Sequence, residues 1–417
     1  MRKLASLALT ATLATTAIAS TDIEELKKRI ESLEEKNQLL IDEIADLKQQ
    51  VAIPELRQQQ FAGMGYAASK VYFSPKGLSI GGYGEIIYQN WQSSTKKDYT
   101  DTYRFIPYIG YKFTDKIILN SEIEFEHTDE AKIEFLYIDF LFNNYFNIRV
   151  GNQLIPLGVT NLLHEPIFFN SVNRPEVETK IIPSTWNENG IMLFSNADSF
   201  TYYLGIVNGF YYNAKGKGFS SDSWVRNGRQ AGGKAYAEDL AFVARFDYTG
   251  IDGLMAGISA YQGNSGQGDK DVNGNKIDGT VKMYDIHLRY NWKGFEITGL
   301  YVKGYLSDAD KISTALGKTI GKEVYGYYVN LAYDVFPIIT KNNKFSLPLF
   351  VRYERFNTQE KVPAGFTADK TNDKTIWTVG FNFKPHPNII LKADYQFRDN
   401  KGGGEPDVFE LGMGFIF

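Results

Sequence analysis

The chain has 417 residues, among them 27 Tyr, 29 Phe and 38 Gly but no Cys, and a formal net charge of -4. The missing cysteines exclude disulfides, a lipid anchor on Cys and thiolate metal sites, and the acidic balance argues against nucleic acid as a partner. A mean hydropathy of -0.30 is too polar for a bundle of membrane helices, yet it suits a barrel wall in which lipid-facing and lumen-facing residues alternate.

The first element is an export signal at 1–19. Arg2 and Lys3 are followed by an apolar run from Leu4 to Ile18 and by Ala17-Ile18-Ala19, a small-residue cleavage pattern. The run is too short for a comfortable membrane span. Residues 21–52 then carry a heptad: Ile23, Ile30, Asn37, Ile44 and Val51 at a, Leu26, Leu33, Leu40 and Leu47 at d. This spacing predicts a short α-helical coiled coil in the periplasm, about 45 Å long at about 1.5 Å per residue, ended by Pro54. Ile at a, Leu at d and an Asn at a favour two strands for the helix taken alone. Residues 53–77 read as a linker containing Gly and Ala.

From 78 to 417 the period changes to two. Tyr103, Phe105, Ile109, Tyr111 and Phe113 share one face and Arg104 and Lys112 the other; Ile117, Leu119, Ile123 and Phe125 alternate with Asn120, Glu122, Glu124 and Glu126. The same alternation spaces about sixteen strands at 78–92, 100–114, 116–127, 131–143, 145–153, 189–196, 199–210, 238–250, 253–263, 279–292, 294–306, 323–336, 344–357, 373–385, 387–400 and 406–417. A soluble sandwich alternates too. Three features favour a membrane barrel. Short turns alternate with long polar loops. Aromatics such as Trp91, Phe113 and Trp292 gather at strand ends. The last strand, Phe409, Leu411, Met413, Phe415, Phe417, ends the chain on an aromatic. The fold class expected is therefore all-β: a transmembrane antiparallel β-barrel of about sixteen strands in the bacterial outer membrane, against lipid, with an aqueous lumen.

The loop at about 154–188 joins the fifth and sixth strands and is apolar for a surface loop, with Leu162, Leu163, Ile167, Phe168, Phe169, Ile181, Ile182 and Trp186. Such loops are usually functional, and this one is expected to fold into the lumen as a constriction; packing over the rim or at a subunit contact is the alternative. Arg149-Val150-Gly151-Asn152-Gln153-Leu154-Ile155-Pro156-Leu157-Gly158 resembles the strand that enters the third loop of the phosphate-selective porin O and P family, as do the Asn189-Gly190-Ile191 re-entry and the coiled coil before the barrel. The resemblance covers about 78–417 and implies a sixteen-stranded trimeric porin. A homotrimer is expected because the barrel interface should outweigh the helix.

Phosphate selectivity is not implied by the charges. The loop carries Arg174 and Lys180 against Glu165, Glu176, Glu178 and Glu188. The wall mixes Glu122, Glu124, Asp139 and Glu354 with Arg104, Arg149, Arg289, Arg352, Lys392 and Arg398. Facing rows of opposite charge suit a weakly selective pore for small hydrophilic solutes or ions; the plain alternative is pairing within a polar wall. The loop at about 211–237, with Lys215, Lys217, Arg226, Arg229 and Lys234, is expected to be solvated. Asp269, Asp271, Asn273 and Gly274 match half a calcium loop, but its twelfth position is Thr280, and a loop-tip turn explains them better. His127, His164, His287 and His386 are scattered, so no metal, cofactor or enzymatic centre is assigned. A second reading makes the chain an envelope anchor whose coiled coil contacts peptidoglycan.

Overall fold

A computed structural model describes residues 27–43, 58–93, 95–340 and 345–417. The chain divides into two compact units, 1–52 and 53–417. In the first, residues 27–43 form one helix, α1, exposed along its length. The seam positions Ile30, Leu33 and Leu40 are 50–64% exposed. The signal peptide and the seam positions Ile23, Leu26, Ile44 and Leu47 lie outside the described residues.

The second unit is a closed antiparallel barrel of sixteen strands. They are β1 Gly77–Trp91, β2 Tyr99–Thr114, β3 Ile117–Glu126, β4 Glu130–Leu141, β5 Asn147–Leu154, β6 Asn187–Phe194, β7 Phe200–Asn208, β8 Leu240–Tyr248, β9 Leu254–Gly263, β10 Val281–Trp292, β11 Phe295–Leu306, β12 Glu323–Asp334, β13 Pro348–Lys361, β14 Asp373–His386, β15 Ile389–Asn400 and β16 Val408–Ile416. Each pairs with its sequence neighbour, and β1 closes on β16 from Tyr83–Ile416 to Trp91–Val408. The terminal Phe417 completes the seam: its N–H donates to the Gly82 carbonyl at 2.9 Å and its carbonyl accepts from Gly82 at 3.0 Å. Strand ends fall within four residues of those expected from alternation. The largest shift is at β13, where residues before it form a turn with a short helix, Phe336–Ile339, that carries a proline in its first turn.

Alternation sets the two faces. On β2, Phe105, Ile109, Tyr111 and Phe113 point outward and are exposed, while Arg104, Ile106 and Tyr108 point inward and are buried. One irregularity matters. Across β3 and β4, Glu122 pairs with Phe135 but Ile123 pairs with Ile133, so Glu134 is an unpaired bulge residue. Glu134 and Phe135 are both buried, whereas strict alternation would put Glu134 on the outer face.

Residues 58–76 differ from the expected linker. Tyr66–Phe73 is a helix, α2, and Phe61, Ala62, Met64, Ala67, Ala68, Val71 and Tyr72 are buried. Its small residues permit close approach to a wall that is itself pared down: a Cβ on Gly110 would lie 2.6 Å from Val71 Cγ2. Asn120 donates to the Ala68 carbonyl at 2.8 Å, Lys70 to the Ile80 carbonyl at 2.8 Å, and Phe61 stacks on Tyr72 at 3.8 Å. The Gly/Ala content that reads as slack serves packing.

Candidate functional site

Residues 155–186, between β5 and β6, touch strands around most of the ring. His164 Nε2 lies 3.2 Å from Tyr108 on β2 and from Glu122 on β3. Gly158 donates to Asp285 on β10 at 3.1 Å, and its carbonyl accepts from Arg245 on β8. Asn170 donates to Glu296 on β11 at 2.7 Å, Val177 to Glu354 on β13 at 3.2 Å, and Val172 to Asp394 on β15 at 2.6 Å. Tyr328 on β12 donates to Glu178 at 2.6 Å. Gly158 turns the chain here with φ +67°, and a Cβ on it would fall 2.3 Å from Glu178 Oε2.

The charges picked from the sequence fall into two groups. In the first, each is spent on the fold. Glu165 accepts from Ala68 in α2 at 3.0 Å. Glu178 accepts from Val159 and Thr160 N–H at 2.8 and 2.7 Å and from the Thr160 hydroxyl at 2.9 Å. Burial pushes both carboxyls above their ordinary range, against the pull of these donors. Glu188 accepts from Gln230 N–H at 2.8 Å. Arg149 forks onto Asp139 at 2.8 and 2.9 Å, reaches Tyr72 at 3.3 Å and stacks on Tyr137 at 3.8 Å. Lys392 donates to the Phe169 and Ser171 carbonyls at 2.9 and 3.0 Å. Arg289 lies 3.6 Å from Glu296 and 5.2 Å from the Phe168 ring. Glu124 meets Lys132 at 2.6 Å.

The second group lines a cavity of about 530 Å³ at the end of the barrel that bears the long loops. Its charges are Arg104, Arg174, Lys180, Arg226, Arg352 and Arg398 against Glu85, Glu126, Glu176, Asp222 and Glu410, six cations to five carboxylates. Arg398 holds Glu176 at 2.5 Å and Glu405 at 2.7 Å; Arg104 holds Glu85 at 3.1 Å; Arg352 holds Glu354 at 2.8 Å; Lys180 holds Asp222 at 3.2 Å. Burial alone would raise Glu176, but Arg398 and the nearby lysines Lys374 and Lys180 hold it below the usual carboxylate range.

Two arginines depart from the solvated state expected of their loop, and a third residue, Glu134, escapes a reading by sequence. Arg226 and Arg229 belong to the 209–239 loop, which is not simply solvated: Phe219, Trp224 and Val225 are buried. Arg226 donates to the Thr179 carbonyl at 3.0 Å and Arg229 to the Ser184 and Thr185 carbonyls at 2.8 and 3.0 Å. The aromatics were the signal, since a solvated loop has no use for Phe210, Phe219 and Trp224. Glu134 is hidden by its bulge; a carboxylate at a lipid-facing parity should itself have flagged one. At the tip of the suspected calcium loop, Asp271 Oδ1 accepts from its own turn, from Asn273 and Asn275 N–H at 2.9 Å each.

A family model described as phosphate-selective porin O and P matches residues 109–417. An uncharacterized protein of Aquifex aeolicus (strain VF5) is 34% identical over 388 residues, covering 89% of this chain and 87% of that one. Among solved structures, the anion-selective porin from Comamonas acidovorans superposes with a TM-score of 0.54 at 11% identity, covering 82% of this chain and 99% of that chain. The Salmonella typhi OmpF complex with daunomycin gives 0.54 at 11% identity, with 82% and 98% covered. At such identities the likeness is one of fold.

Proposed function

Because this chain belongs to the phosphate-selective porin O and P family and is an outer-membrane porin, we propose that it is a weakly selective pore for small hydrophilic solutes and ions, narrowed by residues 155–186 folded into the lumen. The observation that carries the narrowing is the set of hydrogen bonds from this one segment to β8, β10, β11, β12, β13 and β15. A loop lying over the rim has no access to inward-facing side chains on strands so far apart around the ring. Weak selectivity follows from the cavity lining, where six cations meet five carboxylates and most are paired. A strongly phosphate-selective pore needs an excess of unpaired cations, so that alternative is not favoured, nor is a purely structural anchor. The reading is of a channel, not an enzyme.

The exposed seam of α1 supports self-association through a coiled coil on the periplasmic side, and we take a homotrimer as the assembly. The functional test is single-channel conductance and reversal potential of purified protein in planar bilayers under a salt gradient. Stepped conductances in threes, with a permeability ratio near one, are expected. Strong anion preference with block by phosphate would overturn weak selectivity. An absence of conductance from correctly folded protein would overturn the pore.

A further inference from the structure

Where the segment 155–186 meets β3 and β4, three buried side chains converge. They are Glu122 on β3, Glu134 on the β4 bulge and His164, and one ligand atom of each lies within 4.8 Å of the others. A single ion with bonds of about 2.0–2.4 Å can span such a set. None of the three is more than 1% exposed.

The chemistry of the set is that of a metal site on two counts. The first is orientation. His164 Nδ1 lies 2.9 Å from the Asn161 carbonyl, which can only accept, so the proton sits on Nδ1. The Nε2 lone pair then faces Glu122 Oε1 at 3.2 Å, as a metal-binding imidazole held by an outer partner does. The second is dissatisfaction. Both oxygens of Glu134 and Oε2 of Glu122 have no hydrogen-bond partner. The Tyr108 hydroxyl, 3.2 Å from Nε2, offers one proton to this group of acceptors.

Glu124 and Glu165 add two carboxylates beside the set. The cations around these carboxylates are engaged elsewhere: Lys132 meets Glu124 at 2.6 Å, Arg104 meets Glu85 at 3.1 Å, Arg174 Nη2 donates to the His164 carbonyl at 2.9 Å, and Arg229 donates to the Ser184 and Thr185 carbonyls at 2.8 and 3.0 Å. None of them donates a hydrogen bond to Glu134. The bulge that turns Glu134 inward has no other evident use, and bulges commonly re-aim a side chain toward a site.

We propose that Glu122, Glu134 and His164 bind one divalent transition-metal cation of the zinc class, which pins the segment 155–186 to the barrel wall. Imidazole with two carboxylates suits such an ion better than calcium or magnesium, which take oxygen ligands. With no cysteine in the chain, thiolate sites cannot compete.

The test uses the full chain folded in detergent, stripped with EDTA and titrated with Zn²⁺. About one Zn²⁺ per chain and a rise in the thermal unfolding midpoint are expected. Co²⁺ in its place should give a visible absorption band that Zn²⁺ displaces. H164A and E134Q should each weaken Zn²⁺ binding at least about tenfold, with heat-modifiable gel migration as the check on folding. Failure of the native chain to retain Zn²⁺ or to shift would overturn the proposal and leave the carboxylates sharing protons. So would binding that H164A and E134Q leave unchanged, which would place the ion elsewhere. The native-chain stoichiometry and the Co²⁺ band decide the matter even where a variant fails to fold.

Discussion

Arg149 on β5 and Arg398 on β15 have the same place in the strand pattern, each inward-facing and each held by oxygen-bearing side chains, two for Arg149 and three for Arg398. Arg149 is sealed. Asp139 forks it, Tyr72 of α2 covers it, and it is 1% exposed among Tyr137, Phe194 and Met64. Arg398 borders the cavity and divides itself between Glu176 from the 155–186 segment, Glu405 from the last loop and Gln396 on its own strand. The difference lies in what fills the barrel beside each of them. Under α2 the interior is packed like a protein core, where a charge survives only if fully paired. Below the long loops the interior keeps room for water, and the same side chain can face solute.

The comparison can be broken most severely by removing the filling. Deletion of residues 58–76 is expected to expose the Arg149–Asp139 pair and raise single-channel conductance severalfold; an unchanged conductance would mean that α2 does not obstruct the path. Next in size is Asp139→Ala, which strands the Arg149 guanidinium in the packed region. Breaking one side of a buried pair costs about 3–5 kcal/mol, measurable as a fall in the thermal unfolding midpoint. The corresponding change at the cavity, Arg398→Gln, should act on permeation more than on stability. It makes the lining five cations to five carboxylates, and a drift of roughly twofold in permeability ratio toward cations is expected in a salt-gradient reversal potential.

The smallest effect is that of acid. Burial disfavours the Glu405 carboxylate, but Arg398 and Lys374 outweigh it and hold its pKa at about 2. A carboxyl depressed in the folded state contributes stability above its ordinary value, and that contribution is lost as the pH falls toward about 2. Glu176 is depressed in the same direction by the same arginine. Loop 401–407 should therefore become more open to proteolysis between neutral pH and pH about 3. A loop equally protected at both would remove the part assigned to the Arg398 pairs.

Much of the wall was legible in the sequence. All sixteen strands follow from alternation and turn length, because a strand's period of two is a local property. The interior was legible only in part. Glu165, Glu176, Glu178 and Glu188 were visible as charges of one loop, yet three of them end on fold-holding donors and one on the cavity. Glu134 was missed: a single bulge reverses parity, and the one local sign of it was a carboxylate at a lipid-facing position.

The sequence by itself determined the number of strands, their faces and the place of the long loops, all of which depend on residues a few positions apart. Only the tertiary structure decided which inward charges lie buried in packing, which face the cavity, and which meet across β3, β4 and the 155–186 segment. Those meetings join residues as distant as Glu122 and His164, or Val172 and Asp394. They are set by how the ring closes around its own loop, and chain closure of that kind leaves no periodic trace in the residues it brings together.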